Sequence, residues 1–383
     1  MATTKNTNGT TAAERNAQAM KNRIVLTLGG QSYTGWQSAS IKRSIENVAG
    51  EFQLGIARRI GVSVKALVPG QSVKLTINDQ TVVTGWLDEF ESDVSSTDFT
   101  LSLTGRDKTG DLVDCAAVYD GGMWSGRTLA QIAADLCKPF NVAVRWLVTD
   151  ATASKAFSSF KLEHSETVYE ALGRAARMRG VLMTSNANGD LVFTQAGTAH
   201  AGSLTLGKDL LELEYKNSWH DRFSLYKVVG GHACGGDLGD SITDVEQVTG
   251  PSAQVADPLV TRYRPTLKIA DHNITQQTAW ARADHERRHA IAKSTRFTAT
   301  VPGWYRADGA LWDVNSIVNV TATALDISAV PLLIAGVEYR LDDSGLTTQL
   351  TLAPREGYIV PVESENKGSG DGGYTPLEQR FSG

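Results

Sequence analysis

Apolar and polar positions alternate with a period of two through two well-separated stretches of this chain. In the later one, 311–356, Val318 and Val320 share a phase, as do Leu350 and Leu352. Side chains two apart lie on one face of a strand, so the pattern predicts strands with one buried side. The earlier stretch carries a similar text. Residues 69–77 lay over 313–322, 81–87 over 331–337 and 99–107 over 348–356, so that Gly85 answers Gly336 and Arg106-Asp107 answers Arg355-Glu356. Either the chain contains a duplicated unit, or two β-meanders with a mid-strand glycine resemble each other by architecture alone.

Short strands are expected from residue 23 onward, at 24–28, 39–45, 51–56, 72–77, 81–87 and 98–104, with turns at Gly29-Gly30, Pro69-Gly70 and Asn78-Asp79. Such spacing predicts a small closed or nearly closed barrel over 23–109, with Gly35 and Gly85 at bends or bulges. Over 110–203 the period changes to that of an α+β module. Leu129, Ile132, Ala133 and Leu136 recur at helical spacing behind a Thr128/Gln131 capping box, and Pro139 ends that helix. A second helix is expected over 165–179, stopped by Gly180, and Asn188-Gly189 marks a hairpin. Strand character returns at 204–230 and 295–361, predicting a second barrel. It is interrupted by an inserted subdomain, 231–294, with a Gly-rich loop at 230–239 and one helix near 275–293. The ends, 1–22 and 362–383, read as a flexible arm and a disordered tail. The fold class is thus mainly β with α+β: two similar small β-barrels, an α+β module and an inserted helix-containing subdomain.

Composition narrows the function. With 383 residues, the chain is expected to form two to four domains. A net charge of −5 argues against a globally basic nucleic-acid binder. No apolar run is long enough to predict a membrane span, and the N-terminus lacks the apolar core of a signal peptide. The cysteines, Cys115, Cys137 and Cys234, have no metal-like spacing; Cys115 and Cys137 sit among apolar residues and read as reduced core thiols.

Three features could carry chemistry. His285-Glu286-Arg287-Arg288-His289 matches H-E-x-x-H on a predicted helix, the arrangement in which two histidines hold zinc and the glutamate activates water. Its neighbours Arg282, Asp284, Arg287 and Arg288 make the helix highly charged, and the next carboxylates, Asp308 and Asp313, fall in strand-like sequence. A solvated helix face is the expectation. His164-Ser165-Glu166 brings triad residue types together without a nucleophile elbow, and Ser165 reads as a helix cap. The run 262–296 carries Arg262, Arg264, Lys268, Arg282, Arg287, Arg288, Lys293 and Arg296 against Asp271, Asp284 and Glu286. That surplus could face phosphate or an acidic partner, or be a solvated exterior. No catalytic, cofactor-binding or metal-ligating residue is assigned, and no cofactor is expected.

Longer motifs are more specific. They are Gly105-Arg106-Asp107-Lys108-Thr109 followed by 111–119, His164-Ser165-Glu166-Thr167-Val168-Tyr169-Glu170-Ala171-Leu172, Arg179-Gly180-Val181-Leu182, Thr261-Arg262-Tyr263-Arg264-Pro265, and Leu352-Ala353-Pro354-Arg355-Glu356-Gly357. In these, over about 23–363, the chain resembles the baseplate hub proteins of Mu-like contractile-tailed phages, with the late control protein D family and, more remotely, the hub part of type VI secretion spikes. The resemblance implies a non-enzymatic homotrimer in the virion tail, assembled in the host cytoplasm. Its two barrels per chain would form a pseudo-sixfold ring between the hexameric tail tube and the trimeric central spike. The partners implied are the chain itself, the spike, the tube or its initiator and other baseplate components, with nonspecific contact to DNA or tape measure in a channel. The competing readings are a metal-dependent peptidase or cell-wall hydrolase built on 285–289, and a DNA-binding module using 262–296.

Overall fold

The computed structural model describes residues 23–57, 67–95, 99–230, 251–270 and 275–362. The expected arm 1–22, most of the Gly-rich loop 230–239, Cys234 and the tail beyond 362 lie outside the described residues.

The alternating stretches form strands as their pattern requires. The first set is β1 (Ile24–Leu28), β2 (Gln31–Tyr33), β3 (Ser38–Ser44), β4 (Glu51–Ala57), β5 (Ser72–Ile77), β6 (Gln80–Val94) and β7 (Phe99–Asp107). Between the two sets run helix α1 (Gly110–Asp114), β8 (Met123–Arg127), α2 (Leu129–Cys137), β9 (Val144–Trp146), β10 (Phe157–Lys161), α3 (Val168–Arg179), β11 (Leu182–Ser185) and β12 (Leu191–Thr194). Then follow β13 (His200–Thr205), β14 (Glu212–Asn217), β15 (Leu225–Gly230), β16 (Ser252–Ala256), β17 (Pro265–Ala270), α4 (Gln276–Ser294), β18 (Thr295–Pro302), β19 (Ile317–Ala322), β20 (Ile327–Asp342) and β21 (Gly345–Ala353).

The chain is mainly β. Among the described residues one thirteen-stranded sheet contains both alternating stretches. Its first half has the neighbour order β3-β4-β7-β6-β5-β1, and its second half β14-β18-β21-β20-β19-β13. Taken position by position, the strands also follow each other along the chain in one sequence, so order and connectivity repeat together. The halves differ at one end, where β1 pairs antiparallel with β5 while β13 runs parallel to β19. Leu26, Leu54, Leu75 and Leu103 from the first half and Val320, Ile334, Leu350 and Leu352 from the second are buried in one apolar cluster. No ladder among the described strands joins β2 to β3, so backbone pairing does not close the first half on itself.

Two register shifts in each half set the correspondence between the halves. In β5–β6 the ladder shifts after Leu75–Val83, and in β19–β20 after Val320–Val330. In β6–β7 it shifts between Leu87 and Glu89, and in β20–β21 between Ile334 and Gly336. An extra residue in a strand breaks the pairing locally, so a bulge pins a register. Val83 therefore answers Val330, Leu87 answers Ile334 and Gly105 answers Leu352. The sequence alignment of Gly85 with Gly336 is corrected by this: Gly336 takes the place of Glu89. Gly85 has its own cause, because a Cβ there would lie 2.0 Å from the carbonyl oxygen of Arg106.

The helices follow their caps. The Thr128/Gln131 box starts α2, and Thr275 with Thr278 starts α4. The expected start of α3 at Ser165 is corrected. Ser165 has φ of +66°, outside the extended region an N-cap needs, and the cap is Thr167 with Glu170 completing the box. Gly180, at φ of +66°, ends α3 as expected. β11 and β12 form the predicted hairpin. Its tip meets the large sheet, where a Cβ on Gly189 would come within 2.5 Å of the Thr84 carbonyl oxygen. Leu225–Gly230, read from sequence with the second barrel, pairs instead with β16 and β17 in a separate sheet under α4.

Candidate assembly interface

Among the described residues the two halves of the large sheet are joined by a single ladder. β20 is long, and its first part pairs with β19 while its outer part, Gly336 to Leu341, pairs antiparallel with Ser44 to Ala39 of β3. The reason lies in the alternation, which continues past Val337: Val337, Tyr339 and Leu341 turn to one face, Glu338 and Arg340 to the other. On the apolar side Tyr339 and Ile41 are buried opposite each other. On the polar side Glu338 accepts from the Ser40 hydroxyl and from Arg340, both at 2.6 Å, and Lys42 Nζ lies 3.9 Å away. Arg340 also donates to Gln349 on β21 at 2.8 Å. Burial would push the Glu338 carboxyl up, but the hydrogen bonds from Arg340 and Ser40, with the charge of Lys42, hold it below the usual carboxylate range.

The turn after β3 is held from two sides. Ser44 Oγ and Ile45 N–H both donate to the Ala335 carbonyl oxygen, at 3.1 and 2.9 Å. Glu46 accepts from Arg296 and, at 2.7 Å, from the Tyr358 hydroxyl. Asp107 is the matching node on the module side, accepting from Gly50 N–H, Thr109 N–H, and the Thr109 and Ser185 hydroxyls. Burial raises its pKa from the ordinary value, with the hydrogen bonds acting in the opposite direction. These contacts tie β3, β7, α1 and β11 into one support for the joint.

The joint escaped the sequence reading. Its one legible signal was the length of the 331–340 alternation, which outruns the six residues of β19.

The residues that the sequence did single out serve other ends. His285 and His289 stack with ring centroids 5.9 Å apart. Their Nδ1 atoms face backbone oxygens of the chain's closing run, Ile359 at 3.1 Å and Gly357 at 3.3 Å. They are half-buried, which corrects the expectation of a solvated face: the histidines hold residues 357–359 against α4. Glu286 pairs with Lys268 at 3.5 Å, and among the described residues no third His, Cys, Asp or Glu joins the two histidines. Burial, then the neighbouring His289, pushes the His285 pKa down. His164-Ser165-Glu166 is a turn, with Glu166 bound to Arg174 at 2.8 Å.

Much of the basic surplus in 262–296 is neutralised internally. Arg287 and Arg288 share Asp284 at 2.7 and 2.9 Å, and Arg296 is held by Glu46. Cys137 is buried, which pushes its thiol up to about 12. Cys115 is exposed where α1 ends, against the expectation of a core thiol.

Comparison with known proteins gives three family matches in chain order. Residues 23–107 match the Mu phage baseplate assembly protein GpP-like N-terminal model, 109–195 the second domain of gp44-like baseplate hub proteins, and 275–361 the fourth domain of the Mu phage baseplate assembly protein GpP. The chain is 46% identical over 367 residues to the baseplate hub protein gp44 of Escherichia phage Mu, covering 94% of this chain and 97% of that one. Among solved structures, the 43 kDa tail protein of prophage MuSo2 from Shewanella oneidensis aligns with a TM-score of 0.78 and 32% identity, over 88% of this chain and all of that one. The tail protein from Neisseria meningitidis MC58 aligns with a TM-score of 0.75 and 23% identity, over 89% of this chain and 98% of that one, a likeness of fold.

Proposed function

This chain belongs to the baseplate hub proteins of Mu-like phages, and on that premise we propose that it acts as a homotrimer whose six sheet halves form a pseudo-sixfold ring. It is a structural protein of the phage tail. The ring would meet the hexameric tail tube on one side and the trimeric central spike on the other, around a channel through which DNA passes. Each half serves as one small barrel of the ring, with 110–203 and 231–294 outside it. The role is one of assembly, without catalysis.

One observation carries this reading: a single chain contains the same strand order twice, with the halves already joined edge to edge. Three such chains supply six similar units, which is what a threefold body needs to sit against a sixfold one. The virion is its place of action. Among the described residues no helix is long and apolar enough to cross a membrane.

Sedimentation of the full chain, alone and mixed with its spike partner, tests the reading. A species of three chains is expected; a chain that stays monomeric in both conditions overturns it.

A further inference from the structure

The internal joint has an unfilled counterpart. With the bulges as pins, Glu338 of β20 corresponds to Glu91 of β6, Tyr339 to Ser92, Arg340 to Asp93 and Leu341 to Val94. The neighbouring ladders fix the other side. Phe52 faces Gly105 and Phe297 faces Leu352, so these phenylalanines correspond. Ile41 faces Phe52 and Tyr215 faces Phe297, so Ile41 corresponds to Tyr215 and Lys42 to Lys216.

In the second half, the outer part of β20 is paired with β3. Its equivalent in the first half, β6 beyond Leu87, pairs only with β7 among the described residues. The equivalent of β3, which is β14, pairs among the described residues only with β18. One complementary pair of edges is therefore filled inside the chain, and the other is unpaired among the described residues: β14 at one end of the sheet, and the outer half of β6 where it runs past the end of β5.

The side chains on the open edges repeat the chemistry of the filled one. Glu91 and Lys216 stand where Glu338 and Lys42 form their ion pair. Val94 is 74% exposed and Tyr215, stacked on Phe297 at 4.8 Å, is 43% exposed, whereas Ile41 in the filled joint is fully buried. Apolar side chains on an open strand edge are a template for pairing with another chain.

We propose that successive copies of this chain are joined by an antiparallel ladder between the outer half of β6 and β14 of the next copy, with Glu91 opposite Lys216, Ser92 opposite Tyr215 and Val94 opposite Leu213. The inference rests on the trimer proposed above and names its interface. Internal and intermolecular joints would then alternate around the ring, six in all, and a head-to-tail contact of this kind closes when its rotation divides the circle.

The joints are similar without being identical. Arg340 and Ser40 face each other in the internal ladder, but Asp93 would face Glu214 in the intermolecular one. Like charges opposite each other weaken a ladder. The intermolecular joint is accordingly the weaker of the two, and Asp93→Arg should strengthen it by restoring the internal pattern. The phase of the ladder follows from Ile45 N–H bonding Ala335 O at 2.9 Å, which places Glu338–Lys42 and Arg340–Ser40 at the closer, non-hydrogen-bonded sites. By correspondence Asp93 and Glu214 occupy such a site, within reach of a disulfide.

The test is sedimentation of the full chain with surface charge variants, together with oxidation of the double variant Asp93→Cys/Glu214→Cys. Glu91→Lys and Lys216→Glu should each raise the concentration for half-assembly, by about tenfold across three joints. The combination Glu91→Lys/Lys216→Glu should recover most of that loss, and Asp93→Arg should lower the wild-type value. The cysteine pair should give covalently linked chains of up to three copies on oxidation, absent from either single variant. If wild-type trimers form but the charge variants leave them unmoved and the cysteines do not link, the ladder is wrong and the trimer uses another surface. If the wild type never trimerises, even with its spike partner, the ring reading falls and the ladder with it.

Discussion

At the scale of single residues, the pattern most suggestive of catalysis describes a clasp. His285 and His289 lie one turn apart on α4 because a helix brings i and i+4 to one face, and that face receives the carbonyl oxygens of Ile359 and Gly357. Spacing along a helix was legible in the sequence; what the face meets was not, since the closing run is some seventy residues away. The clasp makes the fold sensitive to acid. The His285 pKa is held below the ordinary 6.5 by burial and by His289, with Glu286 opposing and Arg288 adding to the effect. Between the folded value and 6.5 the unfolded chain binds more protons, so stability is complete above about pH 6.5 and is lost as pH falls through the folded value. Denaturation midpoints between about pH 5 and 7 should slope upward with pH in the wild type and more weakly in His285→Gln. Equal slopes would remove His285 from the account. Cys137 and Cys115 show the same division: apolar neighbours in sequence signalled burial for both, but the end of α1 leaves Cys115 outside.

At the scale of elements, local grammar was readable and long-range register was not. Capping boxes and Gly180 located the helices because they act within a turn of the chain. Ser165 misled because it stands two residues before a better cap, Thr167, and in a left-handed conformation unlike the extended one of an N-cap. Thr167→Ala should cost about 0.5–2 kcal/mol in chemical denaturation, while Ser165→Gly should cost little or stabilise, since glycine is at ease at positive φ. The reverse order would return the cap to Ser165. Aligning the repeat on Gly85 and Gly336 failed for a related reason. A bulge adds a residue without a mark in the alternation, and the glycines answer different needs: close approach to Arg106 at one, the exit from a bulge at the other.

At the scale of the whole molecule, alternation announced the two sheet halves, and the resemblance of their text announced their kinship. The ladder that joins them stayed hidden, because it pairs strands such as β3 and β20 whose bonded residues, Ser40 and Glu338, are 298 positions apart. That ladder gives the duplication its meaning. The chain joins two like units through one pair of edges and leaves a matching pair unpaired among the described residues, the pair that the proposed ladder between copies would fill. Averaged end-on electron micrographs of the purified oligomer test this most directly. A closed ring of three chains showing six similar lobes, evenly spaced, is the predicted result; an open chain, or a three-lobed particle whose sheet halves do not alternate around a common axis, would contradict it.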